Sequence, residues 1–127
     1  MPLSRRFSPE KPPREASLFG MDFSAVLPPG VGLESGFVEI YRNLSPPIEA
    51  MADFLVTTGN QVAQDNIWDT NNPYRRLVAI GIVRDRALYI GLQGGVDGTD
   101  YQLRFTVNDS TGNTWSRTAL ILCAQTS

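Results

Sequence analysis

In 127 residues the chain carries 11 Lys and Arg against 13 Asp and Glu, one Cys and no His, with 42% hydrophobic content. That length suits one domain able to bury a core without staples. The composition excludes histidine-dependent catalytic triads, His-ligated zinc or haem, an imidazole pH switch and any disulfide within the chain. A net charge of −2 gives no general attraction to nucleic acid or to an anionic membrane, so neither is expected as a partner.

The charge is unevenly placed. Residues 1–16, MPLSRRFSPEKPPREA, hold Arg5, Arg6, Lys11 and Arg14 against Glu10 and Glu15, a net of +2 that leaves −4 for residues 17–127. Pro2, Pro9, Pro12 and Pro13 disfavour helix and sheet pairing and favour extended backbone. The reading is an extended, basic N-terminal arm over 1–16 followed by a domain over 17–127. Within the arm, Leu3 and Phe7 are the apolar anchors, and Arg5, Arg6, Lys11 and Arg14 are the groups that pair with acids on a partner. Arg5 and Arg6 are followed by proline and charge rather than an apolar stretch, so no secretory leader is read. No apolar run reaches bilayer-spanning length.

From residue 17 the pattern is β. Phe19, Met21, Phe23 and Ala25 alternate with small or polar residues, which predicts a half-buried strand ended by Pro28-Pro29-Gly30. Residues 37–41 predict a second strand, closed by Ser45-Pro46-Pro47, and 49–53 suit a helical turn. Residues 54–56 and 61–63 read as two strands of a hairpin about Gly59-Asn60. The polar stretch 65–73 reads as a loop with Ile67 and Trp68 inside it, and 76–83 as one apolar strand before the charged turn Arg84-Asp85-Arg86. Leu88, Ile90 and Leu92 alternate up to Gly94-Gly95. Tyr101, Leu103, Phe105 and Val107 then form a strand that a turn at 108–113 pairs with a final strand from Trp115 to Cys123.

Short strands, frequent turns and no amphipathic helix predict an all-β fold, a sandwich. Gly98-Thr99-Asp100-Tyr101, leading into the penultimate strand, fits a tyrosine corner, in which the phenol returns to upstream backbone and pins a Greek-key crossing. The expectation is therefore an immunoglobulin-like β-sandwich without the antibody disulfide. Tyr101 acts as the corner and Trp115 as a cap on the core.

The segment 87–107, ALYIGLQGGVDGTDYQLRFTV, with Gly112 and Arg117 beyond it, resembles a family of tailed-bacteriophage fiber-type or head-accessory structural proteins. The shared pattern is an apolar strand, Gly-Gly, a Gly-Thr-x-Tyr turn, an alternating strand, a polar Gly turn and an Arg-containing last strand. Residues 19–24, FGMDFS, are similar to that family's opening strand, and the likeness covers roughly half of the chain, at its two ends. The resemblance implies a virion structural role with no catalytic residues. The role expected is a capsid decoration or cement protein made in the host bacterial cytoplasm, docked by its arm on the major capsid protein or another virion protein. Self-association is expected, as a trimer. A neck or tail accessory fiber is the alternative.

Chemistry-bearing patterns are sparse. Asp65, Asn66, Asp69, Asn71 and Asn72 offer oxygen ligands without EF-hand spacing, and Gly94-Gly95 with Gly98 lacks the ending of a phosphate loop, so no metal or cofactor is expected. Loop Asp residues serve as backbone caps more readily than as a carboxylate pair, so no enzyme is expected. Trp68, Arg75 and Arg76 are the remaining candidates for surface contact. An exposed Trp68 would also suit a carbohydrate- or receptor-binding module.

Overall fold

Period-two alternation decides which side of each strand faces the core, and turn chemistry decides where the chain changes sheet. The computed structural model describes residues 17–58, 60–65 and 75–123, with side chains described at 17–58 and 78–123. Among the described residues ten strands form: β1 (Ser17–Asp22), β2 (Leu33–Arg42), β3 (Ile48–Glu49), β4 (Phe54–Thr58), β5 (Asn60–Asp65), β6 (Arg75–Ile80), β7 (Ile82–Arg84), β8 (Ala87–Gly94), β9 (Thr99–Asp109) and β10 (Thr114–Cys123). A 3-10 turn at Met51–Asp53 precedes β4.

The fold is an all-β sandwich of two antiparallel sheets. One runs β1-β8-β4, with β7 pairing β8 on the edge that β4 also uses; the other runs β10-β9-β2-β6-β5, with β3 on β2. Phe19, Met21, Leu88, Ile90 and Leu92 line the inner face of the first sheet. Val38, Ile40, Tyr101, Leu103, Phe105, Val107, Ala119 and Ile121 line the second. Each large side chain buried in this way contributes about 1.5–3 kcal/mol of transfer free energy, so this double layer is the main source of stability. The predicted alternation over 101–107 and the hairpin into Trp115–Cys123 are both observed, with β9 and β10 in register from Asn108↔Thr114 to Thr99↔Cys123.

Three sequence expectations need correction. The first strand ends at Asp22, not Ala25. Ser24 N–H donates to Asp22 Oδ1 at 2.8 Å and the chain turns there, leaving Ala25 exposed. The Gly59-Asn60 hairpin does not form: β4 pairs β8 and β5 pairs β6, so the chain crosses from one sheet to the other between them. The apolar run 76–83 is two strands, one in each sheet, broken at Gly81. Gly81 N–H donates to the Gly36 carbonyl at 3.1 Å, and a Cβ there would come within 2.8 Å of the Tyr89 carbonyl. A side chain at 81 would push the sheets apart at the crossing.

Strand direction gives the sandwich two dissimilar ends. β1 begins and β10 finishes at one end, because Ser17 pairs with Leu92 and Cys123 with Thr99. We call this end the root. The other end, the tip, carries the loops at 23–32, 85–86 and 110–113.

Candidate functional site

The tip is closed upon itself. The Arg86 guanidinium donates to the carbonyls of Pro28 at 2.5 Å and Val31 at 3.1 Å, which holds the 23–32 loop against the turn at Asp85. Ser110 N–H donates to the Gly32 carbonyl at 2.8 Å and ties that loop to the β9–β10 turn. Arg86 therefore serves the protein's own backbone and is not a free cation for an acidic neighbour.

The β9–β10 turn is organised by Asp109, a fully buried carboxylate. Its Oδ2 accepts from the Trp115 indole N–H at 2.9 Å. Its Oδ1 accepts from Thr111 N–H at 2.8 Å, the Thr111 hydroxyl at 2.7 Å and Asn113 N–H at 3.0 Å. These donors, the Trp115 indole foremost, hold the carboxyl well below the usual carboxylate range, and burial opposes them only in part. Trp115 packs against the core at the start of β10, and its indole is held by Asp109. Sequence reading missed Asp109; the visible signal was an Asp followed at two, four and six residues by Thr111, Asn113 and Trp115.

A depressed carboxyl gives stability that is complete above its unfolded value near 3.8 and is lost as pH falls below it. Urea midpoints at pH 7 and pH 3 are expected to fall steeply for the wild type. For Asp109→Asn the midpoint should start lower, because the amide NH2 faces the Trp115 N–H, and should then change less with pH. Equal acid slopes for the two proteins would show that Asp109 does not carry the effect.

The root is built differently. The Tyr101 hydroxyl accepts from Val96 N–H at 2.8 Å, five residues upstream. It also donates to Asp53 Oδ2 at 2.8 Å. Asp53 receives Arg42 Nε at 3.1 Å and Nη2 at 3.0 Å, and its backbone carbonyl accepts from Gly95 N–H at 2.8 Å. Asp53 thus joins the segment ahead of β4 to the corner between β8 and β9. Gly94 and Gly95 make that contact possible: both have positive φ (111° and 98°), and a Cβ would lie 2.7 Å from the Asp53 carbonyl at Gly94 and 2.7 Å from Cys123 Sγ at Gly95.

Around this clamp the root exposes apolar side chains: Leu44 (53%), Ile48 (53%) and Val96 (44%). Asn43 N–H donates to the Asp100 carbonyl at 2.8 Å, which sets the 43–47 loop beside the corner. On the outer face of β2 and β9 next to the root lies a polar cluster that sequence reading also missed. The Tyr41 hydroxyl donates to the buried Glu39 at 2.6 Å, the Arg104 guanidinium lies 5.5 Å from the Tyr41 ring centroid, and Gln102 donates to Asn43 at 2.6 Å. Polar residues at alternate positions in both strands were visible in the sequence; their mutual register was not.

Of the partner-contact residues expected from sequence, only Arg75 and Arg76 fall among the described residues, by their backbone alone. Residues 1–16, with Leu3, Arg5, Arg6, Phe7, Lys11 and Arg14, lie outside the described residues but join the sandwich at Ser17, at the root. Asp65 and Arg75 pair with each other, and β6 runs back from the Ile80↔Phe37 pair toward the root. Asp65 and Arg75 therefore lie at the root, and the segment between them, which holds Trp68, is outside the described residues. Arg75 and Arg76 begin β6 there, with their side chains undescribed. Of the five oxygen-bearing loop residues considered for a cation, only Asp65 falls in a described strand. Among the described residues no group of three or more acids or Cys is placed to hold a metal ion, and no helix is long and apolar enough to cross a membrane. Comparison with protein-family models, with curated proteins and with solved structures finds no match.

Proposed function

We propose that this chain is a non-enzymatic structural protein of a tailed-phage particle, a decoration or cement protein that docks root-first on the major capsid protein or another virion protein. The observation that carries the reading is the convergence of contact elements on one end. Ser17, to which the arm is joined, the Asp65–Arg75 pair that bounds the β5–β6 connection, and exposed Leu44, Ile48 and Val96 lie at the root. The tip spends its polar groups on its own loops. A body with a contact-rich end and a self-satisfied end suits a subunit that sits on a shell and faces solvent.

The immunoglobulin-like assignment is supported by topology. With β1, β8 and β4 as strands B, E and D, and β10, β9, β2 and β3 as G, F, C and C′, the pairings B-E-D and G-F-C-C′ follow that fold. The β5–β6 hairpin is an insertion that lengthens the second sheet. The corner tyrosine falls at the start of strand F. Two residues on, where antibody domains place the second disulfide cysteine, stands the buried Leu103. In place of a covalent bridge, the Tyr101–Asp53–Arg42 chain links the segment ahead of strand D to strands F and C.

Copy number tests the placement. Quantified against the major capsid protein in purified particles, the chain is expected at parity or a simple fraction of it. A trace amount would indicate a neck or tail fiber at the unique vertex. Complete absence from particles would overturn the structural reading in favour of a soluble binding module.

A further inference from the structure

We infer that two copies of this chain associate through β10, pairing antiparallel about a two-fold axis at Thr118, so that the five-strand path β5-β6-β2-β9-β10 continues into its symmetry mate. The interface is a property of the isolated domain and does not rest on the virion reading.

Strand β10 is an outer strand of its sheet: β9 occupies one side, and among the described residues nothing pairs with the other. It spans ten residues, Thr114–Cys123, and stays in unbroken register with β9 throughout. A strand edge of that length with which no described residue pairs is a template for another strand, and folds that must avoid this protect the edge with proline, lysine, bulges or shortness. The other outer strands are shorter: β3 has two residues, β7 three, β4 five with a register shift at Val56/Thr58, and β1 and β5 six each. β10 contains no proline, glycine, lysine or acid, and its one charge is Arg117.

The choice of a second β10 as occupant follows from charge and face. The basic arm is a poor occupant, because Pro2, Pro9, Pro12 and Pro13 supply no ladder donors and Arg5, Arg6, Lys11 and Arg14 would add positive charge to a strand whose one charge is Arg117. In an antiparallel self-pairing centred on Thr118, Arg117 stands opposite Ala119 of the mate, Trp115 opposite Ile121, and Ser116 opposite Leu120, so no like charges are opposed. Each Arg117 is also drawn inward, donating to its own Asp22 carbonyl at 3.4 Å beside the Asp22 carboxylate. The centre at Thr118 keeps odd residues facing odd, so the core-facing row of Ala119, Ile121 and Cys123 runs on into that of the mate. The half-buried Leu120 and Leu122 do the same on the outer face. A centre at Arg117 would oppose two guanidiniums. A two-fold, self-complementary contact closes on itself, so the resulting assembly has an even number of copies and not the three expected from the sequence resemblance.

Register-specific cross-linking of the full chain tests this. A residue on the axis faces its own copy at a Cα separation of about 4.5–5.5 Å, within disulfide reach. The Ser116 positions of the two copies lie about 13 Å apart at the rise of a β-strand. Under mild oxidation Thr118→Cys is expected to give a covalent dimer at least tenfold faster than Ser116→Cys or the wild type. An equimolar mixture of Ser116→Cys and Leu120→Cys should restore cross-linking, and the wild type should sediment as a dimer. Circular dichroism of each variant establishes that it is folded. A monomer at 100 µM, a trimer, or a dimer in which Thr118→Cys links no faster than Ser116→Cys would each overturn the proposal. A dimer that forms but never joins particles would leave it standing while removing the virion reading.

Discussion

Replacing Tyr101 with Ala is expected to remove about 5 kcal/mol of stability, and replacing it with Phe about 2 kcal/mol. The larger figure combines loss of a fully buried aromatic ring with loss of the two hydrogen bonds at its hydroxyl. The ring meets Phe54 edge-on, with centroids 4.7 Å apart and planes at 71°, so truncation opens a cavity between the two sheets. Phe keeps the ring and deletes only the hydroxyl. That leaves Val96 N–H without its acceptor, and Asp53 keeps Arg42 but loses the phenol. Set against a total of about 5–15 kcal/mol for a domain of this kind, the Ala variant is close to the limit of folding and the Phe variant is not. Urea unfolding followed by circular dichroism measures both. Equal midpoints for Tyr101→Phe and wild type would show that the corner hydroxyl contributes nothing.

The same hydroxyl has an alkaline signature. Burial pushes the Tyr101 phenol up to about 12 from an ordinary value of 10; the Val96 N–H works against the rise and Asp53 adds to it. A phenol whose folded value is raised stabilises the fold fully below pH 10, and that contribution is lost as pH climbs from 10 toward 12. Between pH 9 and 11 the wild type should therefore lose stability more steeply than Tyr101→Phe.

How much of this could be read from the residues differs from strand to strand. Alternation fixes a strand and its buried face, so Tyr101–Val107 and its partner from Trp115 were legible. Partner choice was not legible. Phe54–Val56 and Gln61–Ala63 flank a Gly-Asn pair that reads as a hairpin, yet β4 goes to β8 and β5 to β6, a decision made by contacts far away in sequence. The break at Gly81 escaped notice for a related reason. An unbroken apolar run looks the same whether one sheet or two receive it, and only the closeness of Gly36 and Leu88 reveals the switch. At the candidate site, residue types singled out the arm and the Trp68 segment, but that the described residues flanking both, Ser17, Asp65 and Arg75, lie at one end is a fact of strand direction. Asp109 shows the opposite case: the signal was local and readable, but an Asp in a turn is so common a backbone cap that its burial under Trp115 did not stand out.

Deleting residues 1–16 is expected to abolish incorporation into particles while leaving the sandwich folded. Folding should survive because the described core, from Phe19 to Cys123, is made entirely by residues after the arm. Attachment should fail because the arm carries the positive charge: it nets +2 while the remainder nets −4, and it contains the chain's one lysine, Lys11. Its prolines reduce the entropy lost on docking, so contacts by Leu3 and Phe7 yield more net affinity than a flexible arm of the same length would. Two finer variants separate these contributions. Neutralising Arg5, Arg6, Lys11 and Arg14 together should weaken attachment and remove most of its salt dependence, since exposed charges more than about 10 Å apart are screened at 0.1 M salt. Leu3→Ala with Phe7→Ala should weaken it at all salt concentrations alike. The readouts are the ratio of this chain to the major capsid protein in purified particles and the urea midpoint of the truncated protein. Full incorporation of the truncated chain would transfer the contact to the body of the root, to Leu44, Ile48, Val96 and the segment opened by Asp65 and Arg75. An unfolded truncated chain would instead mean that residues 1–16 are part of the sandwich, filling the position of strand A beside β1.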